Sequence, residues 1–252
     1  MLFFQLTGRQ IRRSLSLGAT TWIWIVATPL LLLAVYAFVF GVIFQARVPV
    51  GLQVPFVAWL AVALWPWLAF SDGVLRGAGS IRANAALISK VAVPRSMLAT
   101  STQTAAFLLQ LIGYAVVLIV LLIAGIPIHW HALPYLLLLL AALYAFSFGL
   151  GLFFSAVQVF VRDLEQLLPT LFLFWFFLTP ILYAPDMLPG DSGRWLLLNP
   201  MTWWVEEIRA ALFEGKWLPD LTFLVLIAIA GVSTWIGHLV FDRLSPHFED
   251  FL

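Results

Sequence analysis

The sequence predicts an all-α, polytopic membrane protein, and three observations carry that prediction. Hydrophobic residues fill 63% of the 252 positions and charged residues only 10%, against the roughly 25% charged of an average soluble domain. Six apolar runs are long enough to cross about 30 Å of hydrocarbon at a helical rise of about 1.5 Å per residue. The thirteen Lys and Arg nearly cancel the twelve Asp and Glu, yet they are concentrated in a few connecting stretches.

Residues 1–19 form the first element. If the stretch is helical, Gln5, Arg9, Arg12 and Ser16 share one arc with Arg13 at its edge, and Phe3, Phe4, Leu6, Ile11, Leu15 and Leu17 take the other side. This pattern describes an amphipathic helix lying along the membrane surface, with Arg9, Arg12 and Arg13 near anionic head groups. The expected spans are 20–44, 54–75, 105–128, 133–161, 167–183 and 221–241, the fifth being short. The first run is too long for a signal-peptide core and lacks a small-residue cleavage site after it, so no cleavage is expected. With both ends of the chain in the cytoplasm, nine Lys and Arg fall inside and four outside, which satisfies the positive-inside rule.

Residues 76–104 hold Arg76, Arg82, Lys90 and Arg95, and no acid occurs between Asp72 and Asp163. Within it, 81–91 has helix formers around Asn84, and Pro94 ends that helix and restricts its neighbour to extended geometry. A short basic helix with a Pro-Arg stop, held at the base of two spans, is suited to dock into a cleft on a separate soluble subunit. The plain alternative is a positive-inside loop.

Residues 184–220 are apolar enough to enter a membrane but carry Glu206, Glu207 and Arg209 near the middle, after Asn199 and Pro200. A full span would place three charges at the bilayer centre, each costing roughly 2.5–3.5 kcal/mol. A hairpin dipping in from outside, or a pair of interfacial helices broken at Pro200, avoids that cost, as does the plain alternative of an extracytoplasmic loop.

Other chemistry is sparse. The chain has no Cys, which removes disulfides, thiolate metal sites and a Cys nucleophile. His129 and His131 lack a third ligand, so no metal site is expected. Glu206 and Glu207 point about 100° apart on a helix and make a poor acid pair. Gly149 and Gly151 fit close helix packing. The spans lack the buried carboxylates that a proton or sodium relay requires.

Four stretches, read together, resemble the permease subunits of type-2 ABC exporters that move O-antigen, capsule and teichoic acid. They are the basic amphipathic N-terminus, LISKVAVPRSMLATST at 87–102, FVRDLEQLLPTLFLFWFFLTPILY at 160–183 and LLNPMTWWVEEIRAALF at 197–213. The resemblance implies a homodimer in the bacterial inner membrane bound to two cytoplasmic ATPase subunits, exporting a lipid-linked polysaccharide. Arg82, Asn84, Leu87, Lys90, Pro94 and Arg95 would then couple to the ATPase, with Arg162 and Asp163 at a second contact. Asn199, Pro200, Trp203, Trp204, Glu206, Glu207 and Arg209 would lie in outer gate helices. ATP and Mg belong on the partner, because this chain lacks the Gly-x-x-x-x-Gly-Lys-Ser/Thr phosphate loop. No cofactor on the chain and no nucleic-acid partner are expected. Trp22, Tyr36 and Phe40 on the first span, and Phe172, Trp175, Phe176 and Tyr183 on the fifth, are expected to line the channel, since aromatic faces stack on sugars while tolerating slippage. The competing reading from another class is a membrane-embedded acyl- or glycosyltransferase, and an ion channel or ion-coupled carrier is a third.

Overall fold

The computed structural model describes residues 2–15, 19–46, 48–49, 52–85, 94–185 and 193–251. Leu87 and Lys90 lie outside the described residues, as do the side chains of Arg13 and Trp22. Among the described residues every regular element is helical. The order is α1 (Leu2–Leu15), α2 (Ala19–Tyr36) continued by a π-helical stretch (Ala37–Ile43), α3 (Phe56–Ala83), α4 (Arg95–Ile123), α5 (Leu133–Phe160), α6 (Leu164–Leu178), α7 (Gly193–Leu196), α8 (Pro200–Arg209) continued as π-helix (Ala210–Glu214), and α9 (Leu221–Leu244) with a closing 3₁₀ turn (Ser245–Asp250).

By length and composition α3, α4, α5 and α9 can each cross a membrane. The fourth and sixth expected runs match α5 and α9 to within a few residues. Two helices run past their apolar runs. The second span does not stop at 75: α3 continues through Gly77, Ser80 and Ile81, all buried, to Ala83. Residues 81–83 are therefore its last turn and not the start of a separate docking helix. Asn84 closes α3, its side-chain amide donating to the Ser80 carbonyl at 2.8 Å. Likewise α4 begins at Arg95, ten residues before the expected boundary. Its polar first turns hold because hydroxyls return to the helix backbone, as Thr102 does to the Leu98 carbonyl at 2.9 Å.

α6 departs in the other direction. Its 15 residues span only about 22 Å, because Thr179-Pro180 stops the helix while the apolar sequence runs on. Thr179, Pro180, Ile181 and Leu182 are buried nonetheless.

α3 is the central helix, packed against α4 and α5, and α9 packs on α5. Gly149 sets that last crossing: a Cβ there would meet the Ser233 backbone at 2.3 Å, and one at Gly237 would meet the Gly149 carbonyl at 2.2 Å. Ser233 and Thr234 hydroxyls donate across the same crossing to the Phe146 and Ala145 carbonyls. At Gly151 a Cβ would meet the buried Gln103 side chain at 2.2 Å, and that amide donates to Ser147 at 3.0 Å. The close packing expected of Gly149 and Gly151 is thus observed. α1 lies against α4, with Gln10 donating to Thr102 at 3.1 Å.

Candidate functional site

The helix ends gather candidate residues at two opposite poles. At the first pole stand the end of α3, the start of α4, the α5–α6 corner and the closing turn. Arg82 pairs with Glu165 at 3.0 Å across 83 positions of sequence. Around this pair a polar cleft of about 430 Å³ is lined by Gly79, Arg82, Ala83, Ala85, Gln158, Arg162, Glu165 and Phe251. Arg162 and Asp163 are exposed at the corner, where the Asp163 carbonyl accepts from the Leu167 amide. Pro94 is exposed and extended, immediately before α4. Arg95 turns inward, donating to the Ser245 carbonyl and lying 6.0 Å from the Phe248 ring centre. On α1, Arg9 and Arg12 border a depression with Phe4, Gln5 and Gly8.

The second pole is built on the break after α6. Thr179 and Pro180 interrupt the helical ladder, so the carbonyls of its last turn need outside donors. The Thr179 and Tyr183 hydroxyls donate to the Trp175 and Phe177 carbonyls, and two side chains of the 199–209 stretch serve the helix end and the segment after it. Asn199 donates to the Leu178 carbonyl at 3.1 Å and to the Thr179 hydroxyl at 2.9 Å, while its own oxygen caps α8 at the Met201 amide and accepts from Trp175. Arg209, 2% exposed, donates to the Pro180 carbonyl at 2.7 Å and the Ile181 carbonyl at 3.0 Å. It pairs with Glu206 at 3.1 Å, and its guanidinium lies 3.3 Å from the Trp59 ring centre on α3.

Glu207 points the other way, accepting from the Tyr135 hydroxyl at 2.7 Å and from Lys216 at 2.7 Å. Lys216 also reaches Asp220 at 2.7 Å, and Asp220 caps α9 at the Phe223 amide. Burial lowers the Lys216 pKa, but hydrogen bonds to Asp220 and Glu207 outweigh it and hold the ammonium above its ordinary range. The Lys216 hydrogen bond holds Asp220 below its own. The carboxylates considered as an acid pair are therefore engaged in separate ionic contacts. Gly215 has φ +75°, and a Cβ there would meet the His129 ring at 2.9 Å, while His131 bonds the Gly215 carbonyl at 3.2 Å. His129 and His131 thus seat the turn after α8, and among the described residues no cluster of three His or carboxylate ligands occurs.

Between the poles the aromatic side chains pack on one another. Tyr36 stacks on Phe176 at 5.5 Å, and Trp67 on α3 meets Phe172, Trp175 and Phe176 within 6.3 Å. Phe172 and Phe176 are buried within this single chain; Tyr36, Phe40, Trp175 and Tyr183 are half-buried. Trp204 is buried against Phe146, the rings 5.0 Å apart, and the half-exposed Trp203 donates to the Leu197 carbonyl. Sequence reasoning missed Trp59, Tyr135 and Lys216 as partners of Arg209 and Glu207. Only the presence of charges in an apolar stretch signalled that such partners must exist.

Comparison with known proteins points to one class. The family described as ABC-2 type transporter matches residues 1–213. The O-antigen export system permease protein RfbA of Klebsiella pneumoniae is 25% identical over 252 residues, covering 100% of this chain and 95% of that protein. RfbA of Myxococcus xanthus is 28% identical over 256 residues, covering 99% and 94%. The polysialic acid transport protein KpsM of Escherichia coli is 27% identical over 237 residues, covering 91% and 88%.

Proposed function

Because the chain belongs to the ABC-2 type transporter family, we propose that it is the membrane permease subunit of an exporter of lipid-linked polysaccharide, O-antigen foremost. It works in the bacterial inner membrane as a homodimer with two ATPase subunits, which carry the ATP and Mg. Six spans cross the bilayer with both chain ends in the cytoplasm: α2 with its π-helical extension and α6 join the four long helices.

One observation carries the reading. Arg82, from the 81–91 stretch expected to face an ATPase, and the 162–163 corner are far apart in sequence, yet Arg82 pairs with Glu165 beside that corner, at the first pole. A partner pressing on that pole would move α3, the most central helix, and α6 together. At the opposite pole Asn199 bolts α8 to the end of α6 and Arg209 bolts it to the Pro180–Ile181 segment that follows, so a displacement of α3 or α6 is felt at the outer gate. The mechanism is a two-state dimer whose pole contacts bias an aromatic-walled path. Tyr36, Phe40, Trp175 and Tyr183 face the glycan when the path opens; Phe172 and Phe176 back those rings from within, and Trp22 is assigned to the same wall. Glu206, Glu207 and Arg209 serve the gate, and no observation favours the transferase reading.

The test uses the absence of native Cys. A cysteine at Ala86, treated in native membranes with a short bifunctional crosslinker, is expected to capture a soluble ATPase with a yield that changes on adding ATP. A cysteine labelled from the cytoplasm that captures no ATPase refutes the proposal.

A further inference from the structure

We infer that the closing turn, Ser245–Asp250 with Phe251, is a third working part of the cytoplasmic coupling pole. In it Phe248 is a positioning residue that seats the end of α3 and the start of α4, the two helix ends that flank the 84–94 segment. The inference rests on the reading above, that this pole docks an ATPase.

The last span is complete at Leu244, and a chain that only needed to leave the membrane would require no packing beyond it. Instead the turn folds back under the bundle. Phe248 is 0% exposed and belongs to a buried cluster with Ile81 from the end of α3, Leu98 and Ala99 from the start of α4, and Val159 from the end of α5. Its ring meets Phe241 at 5.5 Å and Phe160 at 6.1 Å. Arg95 anchors the same turn from α4, through the Ser245 carbonyl and above the Phe248 ring. Phe251 then packs edge-on against Phe160 at 4.7 Å and forms one wall of the cleft beside Arg82 and Arg162.

The consequence is geometric. Ile81 in the last turns of α3 and Arg95 at the start of α4 flank the 84–94 segment, and both are packed in or on the cluster that contains Phe248. A push delivered to that segment reaches the helices only as firmly as those two ends are held. Loosening Phe248 lets the segment yield without moving α3 and α4, so ATP is spent without transport.

The experiment introduces Phe248→Leu, which keeps apolar bulk but removes the ring, and Phe251→Ala, which leaves no buried void, into the permease–ATPase complex. Export is read as surface glycan in cells lacking the native permease, per unit of membrane-inserted permease. Hydrolysis is read as ATP turnover of the co-purified complex, per unit of ATPase. Phe248→Leu, which loses two ring contacts and the Arg95 cation–π contact, should lower the ratio of export to hydrolysis roughly five- to tenfold, and Phe251→Ala, which loses one ring contact, should lower it less. A merely structural role would lower the amount of complex and leave the ratio unmoved. If Phe248→Leu fails to accumulate, Phe251→Ala and Arg95→Lys carry the same measurement. An unchanged ratio in the accumulating variants, with an active parent complex, overturns this inference alone. A parent that neither binds an ATPase nor restores export overturns the transport reading and this inference with it.

Discussion

Replacing Arg209 by Met should loosen α8 from the Pro180–Ile181 segment and from Trp59. The substitution keeps an unbranched side chain of similar reach over Trp59 but removes the donors to the Pro180 and Ile181 carbonyls. Each buried acceptor left unpaired costs about 1–3 kcal/mol, and the lost cation–π contact about 1–2 kcal/mol. The Glu206 pair adds little, because Glu206 is half exposed and water screens it. Relief of guanidinium desolvation offsets part of the loss, leaving about 3–4 kcal/mol, a large share of the roughly 5–15 kcal/mol that holds a domain folded. Because the lost contacts join α8 to the Pro180–Ile181 segment after α6 and to Trp59, the damage is local. A cysteine at Ile181, fully buried in the parent, should be inert to a membrane-impermeant maleimide added outside and become reactive when combined with Arg209→Met. Arg209→Lys should fall between, since an ammonium reaches one carbonyl and loses the fork. Protection of the Ile181 cysteine in the Arg209→Met background would refute the argument.

Three further outcomes follow from the same contacts. Gly149→Leu should prevent stable accumulation in the membrane, because even a Cβ meets the Ser233 backbone at 2.3 Å and overpacking costs about 1–3 kcal/mol or more; quantitative blotting of membranes checks it. Glu165→Lys should lower export while stability changes by less than about 1 kcal/mol, as exposed pairs contribute little, and the swap Arg82→Glu with Glu165→Arg should recover part of the export. The Lys216–Asp220 tether has a pH window: Asp220 is depressed, so its contribution is present above about pH 4 and lost as pH falls through its lowered pKa, whereas Lys216 is raised and its contribution persists until pH rises past about 10. Proteolysis at Lys216 should therefore be slow at pH 7 and accelerate below pH 4, and Asp220→Ala, which also removes the α9 cap, should be cleaved readily at both.

The spans were legible where hydropathy and helix breaking coincide. Leu133 and Leu221 follow breaks and start α5 and α9 where the apolar runs begin. They were misplaced where polarity changes inside a continuing helix. Nothing between Arg76 and Ala83 stops α3, and Pro94 starts α4 because proline at a helix entrance forfeits no hydrogen bond. The π-helical turns at Ala37–Ile43 and Ala210–Glu214 leave no pattern in side-chain polarity. In the 199–209 stretch, three charges in apolar sequence announced buried partners without naming them, since Trp59, Tyr135 and Pro180 come from three other parts of the chain. Arg95 shows the limit most clearly: its Pro-Arg setting suggested an outward-facing contact, and its side chain is bound to a turn 150 residues away.

The shortness of α6 bears on the bilayer itself. Exposed Leu171, Phe174 and Leu178 give this helix an apolar flank only about 22 Å tall, whereas the hydrocarbon around it is about 30 Å thick. On the six-span dimer proposed above, lipid against that flank thins or a second copy covers it. Bilayer thickness thereby becomes a variable of the protein's own energetics, with acyl-chain length setting how strongly two copies are driven together along α6. Reconstitution in lipids of graded chain length would expose that drive as a rising dimer fraction, and a fraction indifferent to thickness would place α6 away from lipid altogether.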